Sequence, residues 1–353
     1  MTPILPAPAT VARRAPARVF QWRPMRILLT ATAHERFGGR FPPEAEPVLM
    51  QADGTLAGGV TWEDAAVEVA WPTADLFEPG SPIRPFFAFL LQSTTLRWIQ
   101  SSAAGVDAPV FARLVRQGIR LTTSHVTDIP ISEYVLRAVL DHYQRPEEWA
   151  RSSAERAWRR HDFREVHGTT WLIVGLGSIG AATAVRARAF GATVIGVRRS
   201  PTGSEPVDRM IRPADVVDHL GEADVVVLAA PATADTRHLV DDRFLAAMKP
   251  ASLLVNIARG ALVDEEALLR ALDAGATIEA AVLDVTATEP LPADSPLWDH
   301  PAITITPHDA AGGTGRFERA ADLFFENLRR YGGGEPLLHE VDAADLPDET
   351  PAP

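Results

Sequence analysis

Three residues in the C-terminal half of the chain are of the types that reduction of a 2-keto acid requires. Arg259, Glu289 and His308 lie in the segments NIARGALVD, LDVTATEPLP and TPHDAAGG. An arginine fork can bind a carboxylate and polarise a carbonyl, and a histidine can donate a proton near neutral pH. A carboxylate beside that histidine favours its protonated form. Taken singly, Arg259 could be a salt-bridge partner, Glu289 a solvated side chain and His308 a turn residue, so the interpretation depends on their occurring together.

The hydride for such a reaction would come from a dinucleotide, and the chain contains a matching turn. The sequence GLGSIG (175–180) follows a strand-like run, WLIVG (171–175), and opens a helical stretch, 179–190. This is the context that a G-x-G-x-x-G motif needs for binding a pyrophosphate at a helix N-terminus. The alternative is a glycine turn without a ligand. The residues assigned to this part of the cofactor site are Gly175, Gly177, Ser178, Ile179 and Gly180.

The residues after the next strand-like run, 192–197, indicate which dinucleotide is bound. An NAD site usually has an acidic residue here, which bonds the ribose 2′-hydroxyl. This chain instead has Arg198, Arg199 and Ser200. Guanidinium groups pair with a 2′-phosphate, so NADP is favoured over NAD, unless these are ordinary surface arginines.

The segments around these residues alternate between strand-like and helix-like patterns. The strand-like runs from 169 to 311 are nearly all apolar, which is typical of parallel strands buried on both faces; they are 171–175, 192–197, 224–230, 253–258, 279–285 and 303–307. Asp264 is expected to cap a helix over 264–274, which Gly275 ends. The pattern predicts a doubly wound parallel sheet, with ligands at the carboxyl ends of its strands.

The N-terminal part of the chain predicts a smaller α/β unit. A strand opens at Met25, further strands are expected over 66–72 and 95–100, and a short helix over 106–117. Longer helices are predicted over 128–143, with Asp128 as N-cap, and over 314–331, with Phe317, Ala320, Phe324 and Leu328 on one face. Residues 1–24 are expected to be a disordered tail, and Met25 is an alternative start of translation.

Composition excludes several classes of function. The chain has 353 residues, a net charge of −12 and no cysteine. The negative charge disfavours non-specific binding of nucleic acid or of anionic membranes. Without cysteine there is no disulfide, thiolate metal site or cysteine nucleophile. No run reaches the roughly 18 apolar residues of a membrane span. We expect a cytoplasmic protein without a metal site.

These motifs together resemble the D-specific 2-hydroxyacid dehydrogenase family, most specifically over 168–312. The resemblance implies an α/β fold of two Rossmann-like domains with an interdomain active-site cleft, and a homodimer. The substrate domain, flavodoxin-like, would comprise 25–124 plus 313–345, and the dinucleotide-binding domain 125–312. The segment SPLWDHP (295–301) leans toward the glyoxylate/hydroxypyruvate reductase branch, so the implied partner is a small 2-keto or 2-hydroxy acid; which acid stays open.

The same resemblance assigns residue roles. It gives Arg259, Glu289 and His308 the family's catalytic roles. In the segment IQSSAAGVD (99–107), backbone N–H groups near Ala104 and Gly105 would bind the substrate carboxylate. The remaining residues assigned to the cofactor are Ala230, Pro231, Thr236, Ile257, Ala258 and Asp284, the last of which would hold the nicotinamide amide.

Three positions depart from the family pattern, and two other functions stay open. Thr286 stands where an aromatic residue is usual, Asp309 where an apolar residue is common, and Ser124-His125-Val126 replaces an asparagine-containing turn. A formate dehydrogenase shares the fold but carries glutamine at the position of Glu289. A nucleotide-sensing binding protein, such as a transcriptional co-repressor on this fold, could retain all three catalytic residues.

Overall fold

The chain divides into two compact units. A computed structural model describes residues 24–103, 105–106, 108–343 and 346, so Ala104 and most of the predicted tail lie outside the described residues. The first unit comprises the described residues up to Ser101, Pro109–Thr122 and those from Ala321 onward; the second comprises 102–108 and Thr123–Ala320. These limits differ from the predicted ones, because 102–108 groups with the second unit and the later boundary falls within the last helix. The assignment of the units to substrate and cofactor stays a prediction.

The first unit is built on a five-stranded parallel sheet in the order β2-β1-β3-β4-β5, which is the order of flavodoxin-like sheets. Its strands are β1 Met25–Thr30, β2 Ala45–Met50, β3 Val69–Ala70, β4 Trp98–Gln100 and β5 Arg120–Thr122, and its helices are α1 Ala31–Phe37, α2 Ile83–Gln92 and α3 Pro109–Arg116. The predicted strand over 66–72 was too long, because Ala66 has a φ of 44°, which no extended strand allows.

The second unit contains a seven-stranded parallel sheet in the order β12-β11-β10-β9-β6-β7-β8. Its strands are β6 Thr170–Val174, β7 Thr193–Val197, β8 Arg209–Ile211, β9 Val225–Leu228, β10 Ser252–Asn256, β11 Ile278–Leu283 and β12 Ile303–Ile305. The helices are α4 Asp128–Gln144, α5 Pro146–Ala154, α6 Ser178–Ala189, α7 Val216–His219, α8 Asp242–Ala247 and α9 Glu265–Ala274. The last helix, α10 Arg316–Gly333, begins in this unit, and its residues from Ala321 onward belong to the first unit. The strand order reverses between β6 and β9, and ligands of such sheets bind at the carboxyl edge beside this reversal.

Local signals in the sequence account for several helix ends, but not for all. The carboxylate of Asp264 caps α9 by accepting from Ala267 N at 3.0 Å, and Gly275 ends it with a φ of 58°, as predicted. The predicted N-cap of α4 was wrong by one residue. The cap is Thr127, and Asp128 is the first helical residue, where its charge suits the helix dipole.

The last helix buries a stripe that differs from the predicted one. Its buried residues are Ala321, Phe324, Asn327 and Leu328, whereas Phe317 and Ala320 are partly exposed. Phe324 stacks on Trp71 at 4.1 Å between ring centroids. Asn327 is tolerated in this core because its amide donates to Gln100 Oε1 at 2.8 Å and accepts from Leu338 N at 2.8 Å. Within the described part of the chain, no helix is both long and apolar enough to cross a membrane.

Candidate active site

The three predicted catalytic residues leave the sheet at adjacent strands. Arg259 follows β10, Glu289 follows β11 and His308 follows β12, which are neighbours at one end of the seven-stranded sheet. Backbone hydrogen bonds continue the pairing beyond the strands: Asp284 N donates to Asn256 O at 3.0 Å, and His308 N donates to Asp284 O at 2.8 Å. The three segments are therefore joined side by side at the carboxyl edge.

His308 and Glu289 form a hydrogen-bonded pair. The distance from His308 Nδ1 to Glu289 Oε2 is 2.9 Å, and the two side chains are 49% and 40% exposed. An ionised carboxylate only accepts hydrogen bonds, so Nδ1 is the donor and Nε2 remains for a substrate. The other carboxylate oxygen, Oε1, accepts from Thr286 N at 3.2 Å. Glu289 is thereby held on both sides and orients the imidazole.

The backbone of His308 adopts a conformation that its surroundings must hold in place. Its φ is 54°, in the left-handed region that residues other than glycine rarely occupy. The side chain of Asp284 is buried and faces the following amides: its Oδ1 accepts from Asp309 N at 2.8 Å and from Ala310 N at 3.1 Å. Asp284 thus secures the turn that carries His308. Its predicted contact with a nicotinamide amide stays a prediction.

Arg259 is positioned by an asparagine that sequence reasoning missed. Asn256 is fully buried at the end of β10; its Nδ2 donates to Arg259 O at 3.1 Å, and its Oδ1 accepts from Ala258 N at 3.0 Å. These bonds shape the turn in which Arg259 is extended and its Nη1 donates to Ala258 O at 2.7 Å. The available signal was a single polar residue ending an apolar strand.

Gly260 was also missed, and it explains how the arginine segment approaches the glutamate segment. A Cβ on Gly260 would lie 1.9 Å from the carbonyl carbon of Thr286 and 2.0 Å from its oxygen. Only glycine permits this contact between backbones. The turn after Arg259 therefore packs directly on the loop that leads to Glu289.

The glycine-rich turn has the geometry that a pyrophosphate needs. Gly175 has a φ of 98°, and a Cβ there would lie 2.6 Å from backbone atoms of Ala229 and Ala230. A Cβ on Gly180 would lie 2.0 Å from Gly175 O, so the third glycine lets α6 approach β6. A Cβ on Gly177 would meet no described atom within 4 Å. This leaves open space beside the N-terminus of α6, and the turn fits a dinucleotide.

Arg198 joins the end of β7 to this turn. Its Nη1 donates to Leu176 O at 3.2 Å and lies 3.3 Å from Glu205 Oε1. Glu205 is occupied by its own loop, because hydrogen bonds led by that from Thr202 N lower its pKa to about 2. Arg199 and Ser200, in contrast, are exposed.

The other predicted binding residues lie as follows. Ile257 and Ala258 are buried beneath the arginine turn, at 7% and 6% exposure. The loop after β9 closes on itself, because Thr236 Oγ1 donates to Pro231 O at 2.7 Å; Ala230, which precedes this loop, is partly buried. Gly105 is partly buried.

The residues that depart from the family pattern are held by hydrogen bonds to neighbouring segments. Thr286 is buried at 8% exposure, and its hydroxyl donates to Thr288 O at 2.9 Å. The main chain of Asp309 is held by Asp284. Ser124 N donates to Ala103 O at 2.9 Å, which ties the Ser124-His125-Val126 turn to the loop containing Gly105. Burial lowers the pKa of His125.

Comparisons with known proteins find similarity to one family. The NAD-binding domain of the D-isomer specific 2-hydroxyacid dehydrogenases matches residues 136–310. A glyoxylate reductase of Thermococcus gammatolerans is 34% identical over 254 residues, which cover 68% of this chain and 74% of that protein. A D-3-phosphoglycerate dehydrogenase of Mycobacterium bovis is 30% identical over 305 residues, covering 82% of this chain and 57% of that protein.

Solved structures extend the similarity to both units. A D-isomer specific 2-hydroxyacid dehydrogenase of Xanthobacter autotrophicus Py2, crystallised with NADPH and MES, has a TM-score of 0.74 and 29% identity, covering 91% of this chain and 99% of that one. The fold of two Rossmann-type α/β units matches the expectation from the sequence. The chain belongs to the D-isomer specific 2-hydroxyacid dehydrogenase family and is an NAD(P)-dependent oxidoreductase of that family.

Proposed function

We propose that the protein reduces a small 2-keto acid of the glyoxylate or hydroxypyruvate class to the D-2-hydroxy acid, with NADPH as the preferred cofactor. The observation that carries this proposal is the 2.9 Å contact between His308 Nδ1 and Glu289, on strand exits next to that of Arg259. A relative that is 34% identical bears the name glyoxylate reductase.

Each of the three side chains has a separate role in the reaction. The cofactor, when bound, supplies the hydride to the carbonyl carbon. Arg259 pairs with the substrate carboxylate and polarises the carbonyl. As the carbonyl π electrons move to oxygen, His308 donates its Nε2 proton to that oxygen, so the product is a neutral hydroxyl. Glu289 keeps the imidazole oriented and stabilises its protonated form.

The reaction is tested by following NADPH oxidation with glyoxylate, hydroxypyruvate, pyruvate and 3-phosphohydroxypyruvate. Because general-acid loss typically costs about 10²–10⁴-fold, His308→Ala should remove most of kcat and leave NADPH binding nearly intact. His219→Ala is a matched control, since His219 also pairs with a glutamate, Glu222, at 2.7 Å but on the surface. A His308→Ala variant retaining more than about a tenth of kcat would show that the proton donor is misassigned.

The two other functions predict different outcomes of the same assay. A nucleotide-sensing protein would bind NADPH and oxidise none of it with any keto acid. A formate dehydrogenase would reduce NAD with formate.

The preference for NADPH is argued from the arginines after β7. Arg198 is tethered beside the phosphate turn, and Arg199 is exposed next to it. Because Glu205 is engaged by its own loop, it is poorly placed to bond a ribose 2′-hydroxyl.

This preference is tested with Arg198→Gln and Arg199→Gln. A lost charge-assisted contact is worth about 1.5–3 kcal/mol, so kcat/KM for NADPH should fall about 10- to 150-fold in at least one variant, with little change for NADH. Arg212→Gln is the control, because Arg212 pairs with Asp215 on the surface. Equal use of both cofactors by the unaltered protein would refute the preference.

We propose a homodimer that uses the segment from α5 to β6. The rings of Trp149 and Phe163 are in contact at 5.9 Å between centroids and are 40% and 47% exposed, and Trp158, between them in sequence, is 96% exposed. Exposed apolar patches mark interaction surfaces. Trp158→Ser should convert the dimer to a monomer in sedimentation equilibrium. Phe190→Ser, which alters another exposed aromatic residue at 45% exposure, should not. A wild-type monomer at micromolar concentration would refute the homodimer.

A further inference from the structure

A chain of hydrogen bonds leads from helix α4 to the turn that carries His308. Tyr134 Oη lies 2.7 Å from Thr306 Oγ1, and Thr306 Oγ1 lies 2.6 Å from Asp284 Oδ1. The same Oδ1 accepts from the amides of Asp309 and Ala310. The chain therefore ends on the two residues that directly follow His308.

The carboxylate of Asp284, at the end of this chain, fixes the donor and the acceptor of each hydrogen bond in it. The carboxylate of Asp284 only accepts, so the Thr306 hydroxyl must donate to it. The Thr306 oxygen is then free to accept, and the donor is the Tyr134 phenol. Burial raises the pKa of Tyr134, with its bond to Thr306 acting in the opposite direction, so the phenol keeps its proton at neutral pH. Each donor thus polarises the next along the chain.

We propose that Tyr134 and Thr306 are positioning residues for His308 and act on it through the carboxylate of Asp284. The inference rests on the proposed function, because it assigns these hydroxyls to the proton donor of that reaction. The left-handed φ of His308, 54°, requires outside support. Three donors hold one oxygen of Asp284: the Thr306 hydroxyl and the two amides. Without the Thr306 hydroxyl the carboxylate can rotate, and the imidazole loses its place over the substrate oxygen.

Kinetics of Thr306→Val, Thr306→Ser and Tyr134→Phe test this. Misplacement of a reacting group by about 1 Å can cost about 10²-fold, so kcat should fall about 10- to 100-fold in Thr306→Val and less in Tyr134→Phe. Thr306→Ser retains the hydroxyl and should restore most of kcat. If Thr306 only packed against its neighbours, valine, which keeps its shape, would preserve kcat and serine would not.

The double variant distinguishes a chain from two separate contributions. If Tyr134 acts only through Thr306, adding Tyr134→Phe to Thr306→Val should cause no further loss of kcat, whereas independent effects would multiply. Tyr143→Phe is the matched control on the same helix, because the buried Tyr143 hydroxyl has no hydrogen-bond partner among the described residues. Multiplying effects, or an equal loss in Tyr143→Phe, would overturn the proposal.

Amide hydrogen exchange provides a readout that does not depend on activity. Thr306→Val should accelerate exchange at Asp309 and Ala310, and Tyr143→Phe should leave it unchanged. Unchanged exchange in Thr306→Val would overturn the positioning role even if kcat fell. If no keto acid is reduced by the unaltered protein, the proposed function fails, and exchange still decides whether these hydroxyls hold the turn.

Discussion

Removing the charge of Glu289 while keeping its shape should slow reduction of the keto acid more than oxidation of the hydroxy acid. In Glu289→Gln the amide oxygen can still accept from His308 Nδ1, but the amide nitrogen cannot accept from Thr286 N, so the negative charge and that one backbone bond are lost. The carboxylate stabilises positive charge on the imidazole, and a neutral amide does not. Reduction of the keto acid needs the imidazolium, so its kcat/KM should fall near neutral pH. Oxidation of the hydroxy acid needs the neutral ring and should be spared near neutrality.

The size of this loss follows from the geometry of the pair. The two groups are 2.9 Å apart, but 49% and 40% exposed. A charge-assisted hydrogen bond is worth about 1.5–3 kcal/mol when shielded, and exposed ion pairs contribute at most about 1 kcal/mol. We expect about 1 kcal/mol here, which corresponds to a loss of about fivefold in kcat/KM for reduction.

The assay is kcat/KM at neutral pH in both directions, for the unaltered protein and for Glu289→Gln. Glu265→Gln is the matched control, because its carboxylate also holds this loop, accepting from Ala287 N at 2.7 Å. An unchanged kcat/KM for reduction in Glu289→Gln would show that Glu289 does not support the proton on His308. Asp309 would then be the next carboxylate to test.

Two further predictions concern backbone packing and acid stability. Gly260→Ala should lower the free energy of unfolding by about 1–3 kcal/mol and reduce kcat, because its Cβ would collide with Thr286. Urea unfolding measures the loss. Gly221→Ala, whose Cβ would lie 3.7 Å from its nearest neighbour, is the control and should leave the stability nearly unchanged. Burial alone would raise the pKa of Asp224, but bonds led by that from Lys249, at 2.7 Å, outweigh it and lower the pKa. The pair therefore stabilises the fold above the unfolded pKa of the carboxyl and ceases to do so as pH falls through the folded one. Lys249→Met should cost about 1–2 kcal/mol at pH 7, since Lys249 is 40% exposed. The difference from the unaltered protein should vanish as pH falls through the lowered pKa of Asp224 in the folded protein; a constant difference across pH would contradict this.

The sequence predicted the doubly wound sheet well because its strands are buried on both faces. Continuous apolar runs, glycine turns and the cap at Asp264 are local signals, and each of them survives in the structure. The edges of the first unit were less predictable. Strand β2 and helix α2 were not predicted, and β3 is two residues long. Such short elements are stabilised by tertiary packing, which local periodicity does not record.

The candidate site shows the same division between local and long-range information. Sequence reasoning assigned Glu289 and His308 from their residue types and from the ends of strands. The groups that hold them were missed because they act across long separations in sequence. Tyr134 reaches Thr306 across 172 residues, and Gly260 meets Thr286 only because β10 and β11 are neighbours.

The same division between predictable catalytic residues and unpredicted positioning residues is expected in other parallel sheets. Their strands end at one edge, so residue types at strand exits predict which side chains meet. The orientation of these side chains depends on residues behind them, such as Asn256 and Asp284, which bond to backbone groups rather than to the substrate. A buried polar residue at the end of an apolar strand is therefore expected to have hydrogen-bond partners. In a βα-repeat protein, that single feature identifies residues that position the catalytic groups without touching the substrate.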